Sequence, residues 1–176
     1  SKMEIEGKLK AGTYEIDGNI SSQFISGLLF TLPLLEEDSE IKIRPPFESA
    51  SYIDLTLEML KRFGIEIFQK DELTFKIRGN QKYSPCDYTI EGDFSQLGFF
   101  AVLGAVNNDL KCLGLNHDSK QGDKAIIEIL RNSGVNIENI EGGYFIHKST
   151  PKGCEIDLAD CPDLGPILNV LGMYGD

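Results

Sequence analysis

Polar side chains that could bind an anion stand at the start of an apolar helix candidate. Ser21, Ser22 and Gln23 follow a strand-like run and a glycine-containing turn. Free N–H groups in the first turn of a helix attract anions, and nearby hydroxyl and amide groups add further donors. This pattern suits a phosphate ester or a carboxylate. The same spacing also fits a plain helix cap, in which a serine oxygen accepts a backbone N–H, and spacing alone leaves both interpretations open.

Three further residues could complete such a site. Ser49 and Tyr52 flank the start of the next helix candidate, and Asp163 follows Pro162 at the start of a later apolar helix. The Tyr52 hydroxyl could face a cleft, or its ring could pack while the hydroxyl reaches water. Asp163 could cap its helix or act as a general base beside a bound hydroxyl.

The remaining candidates for chemistry are weak. Asp123 is expected to cap its own helix and is given no catalytic role, and Ser95 with Gln96 fits a plain cap. His117 and His147 look like loop and strand-face residues. The four cysteines show no CxxC spacing and form no zinc pattern with the two histidines. We therefore expect no metal, no cofactor and a cytoplasmic protein with reduced thiols.

A repeated unit positions these residues. Ile16-Asp17-Gly18 recurs as Ile90-Glu91-Gly92, 74 positions later (90 minus 16), and Gly64 recurs as Gly134, 70 positions later (134 minus 64). The period is too long for the common solenoids and favours a βαβαββ unit. Strands are predicted over 13–17, 40–44, 65–69, 73–78, 88–91, 110–115, 135–140 and 144–148, and helices over 21–35, 52–63, 95–106 and 123–133.

The first helix of each copy carries no charged residue and is apolar nearly all round. Such a helix is expected to be buried on all sides, so several copies would gather these helices inside a ring of sheets. Pro33 should kink or end the first one near Leu32. Gly64 and Gly134 should stop the second helices in a left-handed conformation.

A third copy begins with a predicted strand over 154–158 and a helix from Asp163, and then the chain ends. We therefore expect an internal piece of a longer protein.

With 17 Lys+Arg against 28 Asp+Glu the net charge is -11, which argues against nucleic acid or an anionic membrane as partner. The uncharged runs are shorter than the ~20 residues that span a bilayer.

Five motifs follow one another along the chain: Ser21-Ser22-Gln23, Ser49-x-x-Tyr52-Ile53-Asp54-x-Thr56, Glu91-Gly92-Asp93-x-Ser95, Ser119-x-Gln121-Gly122-Asp123 and Asp160-x-Pro162-Asp163. Together they resemble the EPSP synthase family, over nearly all of residues 14–176. The resemblance implies an α/β (α+β) fold of repeated βαβαββ units, of the enolpyruvyl transferase inside-out α/β barrel type, truncated here. Residues 1–91 would be the last unit of a first domain, and 92–176 the first unit and the start of the next unit of a second domain.

The resemblance also implies an activity. Enzymes of the family transfer the enolpyruvyl group of phosphoenolpyruvate to the 5-hydroxyl of shikimate 3-phosphate, through a tetrahedral intermediate, and release phosphate. Asp163 would bind the shikimate hydroxyls and take the 5-hydroxyl proton. A full-length protein of this kind is expected to be a monomer. The resemblance implies roles for the other residues as well. Ser21, Ser22 and Ser49 would bind shikimate 3-phosphate, Gln23 would lie between the two substrates, and Tyr52 would line the shikimate pocket.

We predict that this chain alone releases no phosphate from the two substrates. A base beside two phosphorylated ligands needs cations to balance the site. The basic segments of the family, an early Lys-Ser segment with arginines and a late Glu-x-x-Arg and lysine region, have no counterpart in the sequence. Mixing the chain with both substrates and assaying phosphate release tests this prediction, and clear turnover would refute it.

Three alternatives stay open at this point. UDP-N-acetylglucosamine enolpyruvyltransferase shares the architecture and the chemistry, but fits the Ser-Ser-Gln and Asp-x-Pro-Asp motifs less well. RNA 3′-phosphate cyclase shares part of the fold, and the acidic balance argues against it. A non-catalytic repeat domain that only binds a partner would not gather Ser21, Gln23, Tyr52 and Asp163 around one cleft.

Overall fold

The computed structural model describes residues 3–4 and 6–175 of the chain. These residues divide into two compact units. The first comprises the residues up to Glu48 together with Thr56–Cys86, and the second comprises Ser49–Leu55 together with the residues from Asp87 onward. The predicted assignment of residues 1–91 and 92–176 to two domains of a larger protein stays a prediction.

The first unit is built around a four-stranded sheet. Strands β1 and β2 are parallel, and two antiparallel strands complete the order β1-β2-β4-β3. Along β2 the side chains of Ser39, Ile41 and Ile43 are buried while the intervening ones are more exposed, the period of two expected for a sheet with one covered face. The elements are β1 (Thr13–Asp17), α1 (Ser22–Thr31), β2 (Ser39–Arg44), α2 (Ala50–Arg62, its first turns grouped with the second unit), β3 (Ile67–Asp71) and β4 (Thr74–Ile77).

The second unit repeats most of this order. Its sheet has the strand order β5-β7-β6, and both pairings are antiparallel. Short 3-10 turns lead into two of its helices, at Gly122–Lys124 and Pro162–Leu164. The elements are α3 (Phe94–Val106), β5 (Leu110–Leu113), α4 (Ala125–Asn132), β6 (Ile137–Ile140), β7 (Gly143–Ile146) and α5 (Gly165–Gly172).

The helix ends follow the predicted breakers. Helix α1 stops at Thr31, and Pro33 lies in the 3-10 turn Leu32–Leu34 that follows, because proline lacks an N–H and crowds the preceding turn. Gly64 and Gly134 have φ of +82° and +83°. In both places the glycine N–H and the next N–H bond to carbonyls three and five residues back, at 2.9–3.1 Å. Both predictions are confirmed.

The strand predicted over 88–91 is not formed. One hydrogen bond of the expected parallel pair is present, from Gly92 N to Gly114 O at 2.8 Å, and it matches the bond from Gly18 N to Arg44 O at 2.9 Å in the first unit. Ile90 is 85% exposed, so apolar burial does not hold this segment on the sheet. The 74-residue repeat is therefore kept in the turn and lost in the strand before it.

The strand predicted over 154–158 is not formed either. A strand needs a neighbour for its ladder, and no sheet of the described residues includes this segment. Ile156 and Leu158 instead pack as partly buried side chains against the core of the second unit. The helix predicted from Asp163 is present as a 3-10 turn followed by α5.

The expectation that the uncharged helices are buried on all sides is wrong for the described residues. Helix α3 buries Phe94, Leu97 and Ala101, but Phe99 and Phe100 on its other side are largely exposed. Helices α1 and α5 likewise expose some of their apolar side chains. The described elements cover one side of each helix, which leaves the opposite side in solvent. Within the same residues, no helix combines the length and the apolar character needed to cross a bilayer.

Candidate functional site

The first unit carries Ser21, Ser22 and Gln23 at the start of α1. Ser21 is the N-cap residue in an extended conformation, and its Oγ accepts a hydrogen bond from the N–H of Gln23 at 3.2 Å. Ser21 and Ser22 are half-buried and Gln23 is exposed. Ser21 therefore caps α1, as one of the two interpretations predicted. The cap remains compatible with anion binding, because a helix start has several N–H groups beyond the one that a cap satisfies.

Ser49 lies directly before α2, in the part of the chain that groups with the second unit. Its φ is +57°, a left-handed conformation that costs a non-glycine residue about 1–2 kcal/mol. Its carbonyl accepts a hydrogen bond from the N–H of Tyr52 at 3.2 Å. The turn that strains Ser49 thus also orients Tyr52, and strain of this kind tends to occur at functional sites.

Ser49→Gly is expected to raise the free energy of unfolding of this chain by about 1 kcal/mol, because glycine adopts positive φ without steric cost. Asn80→Gly is the matched control. Asn80 has φ of +55°, a region that asparagine tolerates, and glycine would lose the hydrogen bond from Asn80 Nδ2 to the carbonyl oxygen of Glu36, so this replacement should not raise the free energy of unfolding. Urea unfolding followed by circular dichroism measures both. Equal effects of the two substitutions would contradict strain at Ser49.

Tyr52 and Asp163 are brought together in the second unit. The Tyr52 hydroxyl donates a hydrogen bond to Oδ2 of Asp123 at 3.2 Å, and the Ser95 hydroxyl donates to the same oxygen at 2.5 Å. Asp163 is also near the Tyr52 hydroxyl, since its carboxylate contributes to the raised pKa of the phenol. Asp163 is exposed within its 3-10 turn, whose cap position is Cys161. The Tyr52 hydroxyl therefore lies between two carboxylates, one buried and one accessible.

Burial and like charge set the protonation of this cluster. Burial raises the pKa of Asp123, and the carboxylates of Asp163 and Asp93 raise it further, while the hydrogen bonds from Ser95 and Tyr52 oppose the shift. Burial, followed by the charges of Asp123 and Asp163, raises the pKa of Tyr52. A tyrosine is protonated at neutral pH even without this shift, so the Tyr52 phenol acts there as a hydrogen-bond donor.

Two cap assignments made from the sequence are wrong. Asp93 caps α3, accepting hydrogen bonds from the N–H groups of Ser95 and Gln96 at 2.8 and 3.3 Å, so Ser95 is free to contact Asp123. Asp123 is only 2% exposed and lies inside a turn capped at Gln121. Both residues had been assigned from local spacing, which does not show contacts between separate helices.

Gly122 explains how Asp123 reaches its place. A Cβ atom at Gly122 would clash with the carbonyl oxygen of Asp160 and with Oγ of Ser51, so only glycine lets these segments approach. The Ser51 hydroxyl donates a hydrogen bond to that carbonyl at 3.4 Å. A glycine directly before a carboxylate at a helix start was the signal in the sequence that could have identified this position.

Gln121 holds the starts of two helices together. Its Nε2 donates to Oε1 of Glu91 at 2.8 Å and to the carbonyl oxygen of Gly92 at 3.0 Å, and its Oε1 accepts from the N–H of Phe94 at 2.9 Å. Ser119 donates to the same Glu91 oxygen at 2.6 Å. Partial burial alone would raise the pKa of Glu91, but these donors lower it. The network fixes the loop that carries Asp123 against the start of α3.

Solved structures with this fold define its class. The chain superposes on the EPSP synthase from Acinetobacter baumannii with a TM-score of 0.73 and 23% identity, over 96% of this chain and 39% of that one. It superposes on the enolpyruvyl transferase NikO from Streptomyces tendae with a TM-score of 0.72 and 17% identity, over 97% and 43%. The fold is that of the enolpyruvyl transferases, and the predicted fold class is confirmed.

Sequence similarity identifies the family. The family model of EPSP synthase (3-phosphoshikimate 1-carboxyvinyltransferase) matches residues 1–175. Proteins of that name from Clostridium perfringens and Methanococcus maripaludis are 49% and 43% identical over 96% and 97% of this chain. The chain belongs to the EPSP synthase family, and these relatives do not favour the UDP-N-acetylglucosamine alternative. It spans about 40% of the length of the curated relatives, as expected for part of a longer protein.

Proposed function

We propose that the protein containing this chain transfers the enolpyruvyl group of phosphoenolpyruvate to the 5-hydroxyl of shikimate 3-phosphate and releases phosphate. Membership of the EPSP synthase family supports this proposal. The observation in the structure that carries it is the exposed Asp163 carboxylate near the Tyr52 phenol, whose pKa it helps to raise. A carboxylate that a substrate can reach, next to a fixed hydrogen-bond donor, is suited to receive a proton from a sugar-like hydroxyl.

In the proposed reaction Asp163 takes the proton of the 5-hydroxyl as the hydroxyl oxygen attacks C2 of phosphoenolpyruvate, the carbon that carries the phosphate. A proton adds to the methylene carbon in the same addition, which gives a tetrahedral intermediate with a methyl group. The bond from C2 to the phosphate oxygen then breaks and the methyl group loses one proton, which forms the carbon–carbon double bond of the enol ether product. Tyr52 lines the shikimate pocket and keeps its proton, so it can orient a substrate oxygen by donating to it.

The remaining predicted residues bind substrate in this proposal. Ser21 and Ser22 offer hydroxyls at the start of α1, and Ser49 offers its own before α2, all for the phosphate of shikimate 3-phosphate. Gln23 would contact both substrates. The cluster around Asp163 is acidic, with Asp123 and Asp93 beside it, so the cations that balance two phosphorylated substrates would come from segments outside this chain.

The test uses the gene product that contains this chain. Phosphate release is measured with phosphoenolpyruvate and either shikimate 3-phosphate or UDP-N-acetylglucosamine as acceptor. We expect release with shikimate 3-phosphate and none with the nucleotide sugar. Release with neither acceptor would overturn the proposed function, and release with the nucleotide sugar alone would replace it by the related activity.

The proposal extends to the setting of the enzyme. We place it in the cytoplasm, because all four cysteines are free thiols, the state that a reducing compartment maintains. Its assignment as a monomer rests on the family resemblance alone. Sedimentation of the gene product would reveal a dimer if the monomer assignment is wrong.

A further inference from the structure

Asp123 is a buried carboxylate that the proposed reaction does not use. Its Oδ2 accepts the hydrogen bonds of Ser95 and Tyr52, and its Oδ1 has no hydrogen-bond partner among the described residues. A buried carboxylate without a cation or a full set of donors costs stability. An uncharged side chain of similar size would avoid that cost, so a purely structural role does not account for an aspartate here.

The contact with Tyr52 indicates what Asp123 does. We propose that Asp123 is a positioning residue: by holding the Tyr52 and Ser95 hydroxyls on one oxygen, it fixes the phenol beside Asp163, where the acceptor hydroxyl of the substrate would bind. The expected effect of Asp123 on substrate binding rests on the proposed function, whereas its contact with Tyr52 does not. The contacts of Gln121 and Gly122 support this role, because they fix the backbone directly before Asp123.

The surroundings of Asp123 are consistent with this role. The groups that face it are Tyr52 from α2, Ser95 and Asp93 at the start of α3, and Cys161 and Asp163 from the segment that leads into α5. None of these five carries a positive charge. Burial, with the charge of Asp123 next, raises the pKa of Cys161. A neighbourhood of this kind favours protonated donors around the carboxyl group, which keeps the Tyr52 proton available.

The first experiment needs no substrate and uses this chain. Carbon-13 at Cζ of tyrosine reports the ionisation of each phenol by NMR, and Tyr52→Phe assigns the Tyr52 signal. The wild type should show a raised Tyr52 pKa. Asp123→Ala should lower it toward the ordinary value, because both the charge and the hydrogen bond are removed, and Asp123→Asn should lower it less. An unchanged Tyr52 pKa in Asp123→Ala would overturn the proposal.

Ser95→Ala is the matched control for this titration. It removes the other hydroxyl on Oδ2 and leaves the bond between Asp123 and Tyr52 in place, so the Tyr52 pKa should stay raised. If Ser95→Ala lowers the Tyr52 pKa as much as Asp123→Ala does, the effect belongs to packing in general and the positioning role fails.

The second experiment measures kinetics in the gene product that contains the chain. Asp123→Ala should raise the KM for shikimate 3-phosphate about three- to tenfold, and Asp123→Asn, which keeps an acceptor for the phenol, should restore most of the loss. Adding Asp123→Ala to Tyr52→Phe should cause no further loss, because both act through one contact. Fully additive effects would overturn the proposal.

The two experiments separate failure of this inference from failure of the proposed function. A wild type without transferase activity ends the proposed function, and the NMR titration still decides whether Asp123 holds Tyr52. If Asp123→Ala does not fold, Asp123→Asn and Tyr52→Phe carry both tests, since these two substitutions nearly preserve the side-chain shapes.

Discussion

Asp163→Asn, made in the gene product that contains this chain, is expected to lower kcat by about 100- to 10,000-fold, the range that general acid–base catalysis contributes. Asparagine has nearly the same shape as aspartate and keeps an oxygen near Tyr52, but it cannot take the proton of the attacking hydroxyl. The KM for shikimate 3-phosphate should change much less than kcat, because the amide still binds a hydroxyl. Steady-state phosphate release measures both constants.

Asp157→Asn is the matched control for this experiment. Asp157 is an exposed carboxylate six positions earlier, and its Oδ1 accepts a hydrogen bond from the N–H of Ala159 at 2.9 Å, which an amide oxygen also accepts. The Asp157→Asn substitution removes one negative charge close to the site and leaves Tyr52, Asp123 and Asp163 unchanged. If both substitutions lower kcat equally, the loss reflects net charge, and Asp163 is not the base.

Phe94→Ala is expected to lower the free energy of unfolding of this chain by about 3–5 kcal/mol, the usual cost of removing a buried phenylalanine. Phe94 is 0% exposed in the core of the second unit, and its ring meets that of Tyr144 edge-on with centroids 6.2 Å apart. The backbone N–H of residue 94 keeps its bond to Gln121, so the loss comes from the cavity. Urea unfolding followed by circular dichroism measures it.

Phe100→Ala provides the comparison on the same helix. Phe100 is 55% exposed, so its removal should change the free energy of unfolding by less than about 0.5 kcal/mol, and should make the chain less prone to aggregate. A large loss at Phe100 would show that the outer side of α3 is covered in solution, in a way that the described residues do not show.

Hydrophobic periodicity was enough to predict most elements of the fold. Strand β1 was predicted with its observed bounds, and the ends of α1, α2 and α4 were predicted from Pro33, Gly64 and Gly134, because those residues act on the backbone locally. The strands expected over 88–91 and 154–158 failed for a different reason. A strand depends on a partner and on burial of one face, and a local pattern carries neither.

In the candidate site, too, the sequence predicted local features but not the contacts between separate segments. Tyr52 and Asp163 were candidates from their places at helix starts, the resemblance gave them roles, and the structure places them near each other. Asp123 and Ser95 were given the wrong roles, because cap patterns look alike whether the side chain turns to its own helix or to a neighbouring one. The left-handed conformation of Ser49 was also missed, since serine gives no signal for it and only the fold imposes it.

The paired bonds from Gly18 to Arg44 and from Gly92 to Gly114 have an evolutionary consequence. Duplication of one ancestral gene segment would leave the same contact in both descendants, whereas independent origins would have no reason to reproduce it. The first copy has an edge strand at this position, and the second has only one bond of the pair. Because Gly92 adjoins Asp93 and Ser95, that bond ties the start of α3 to the end of β5 although the strand is absent.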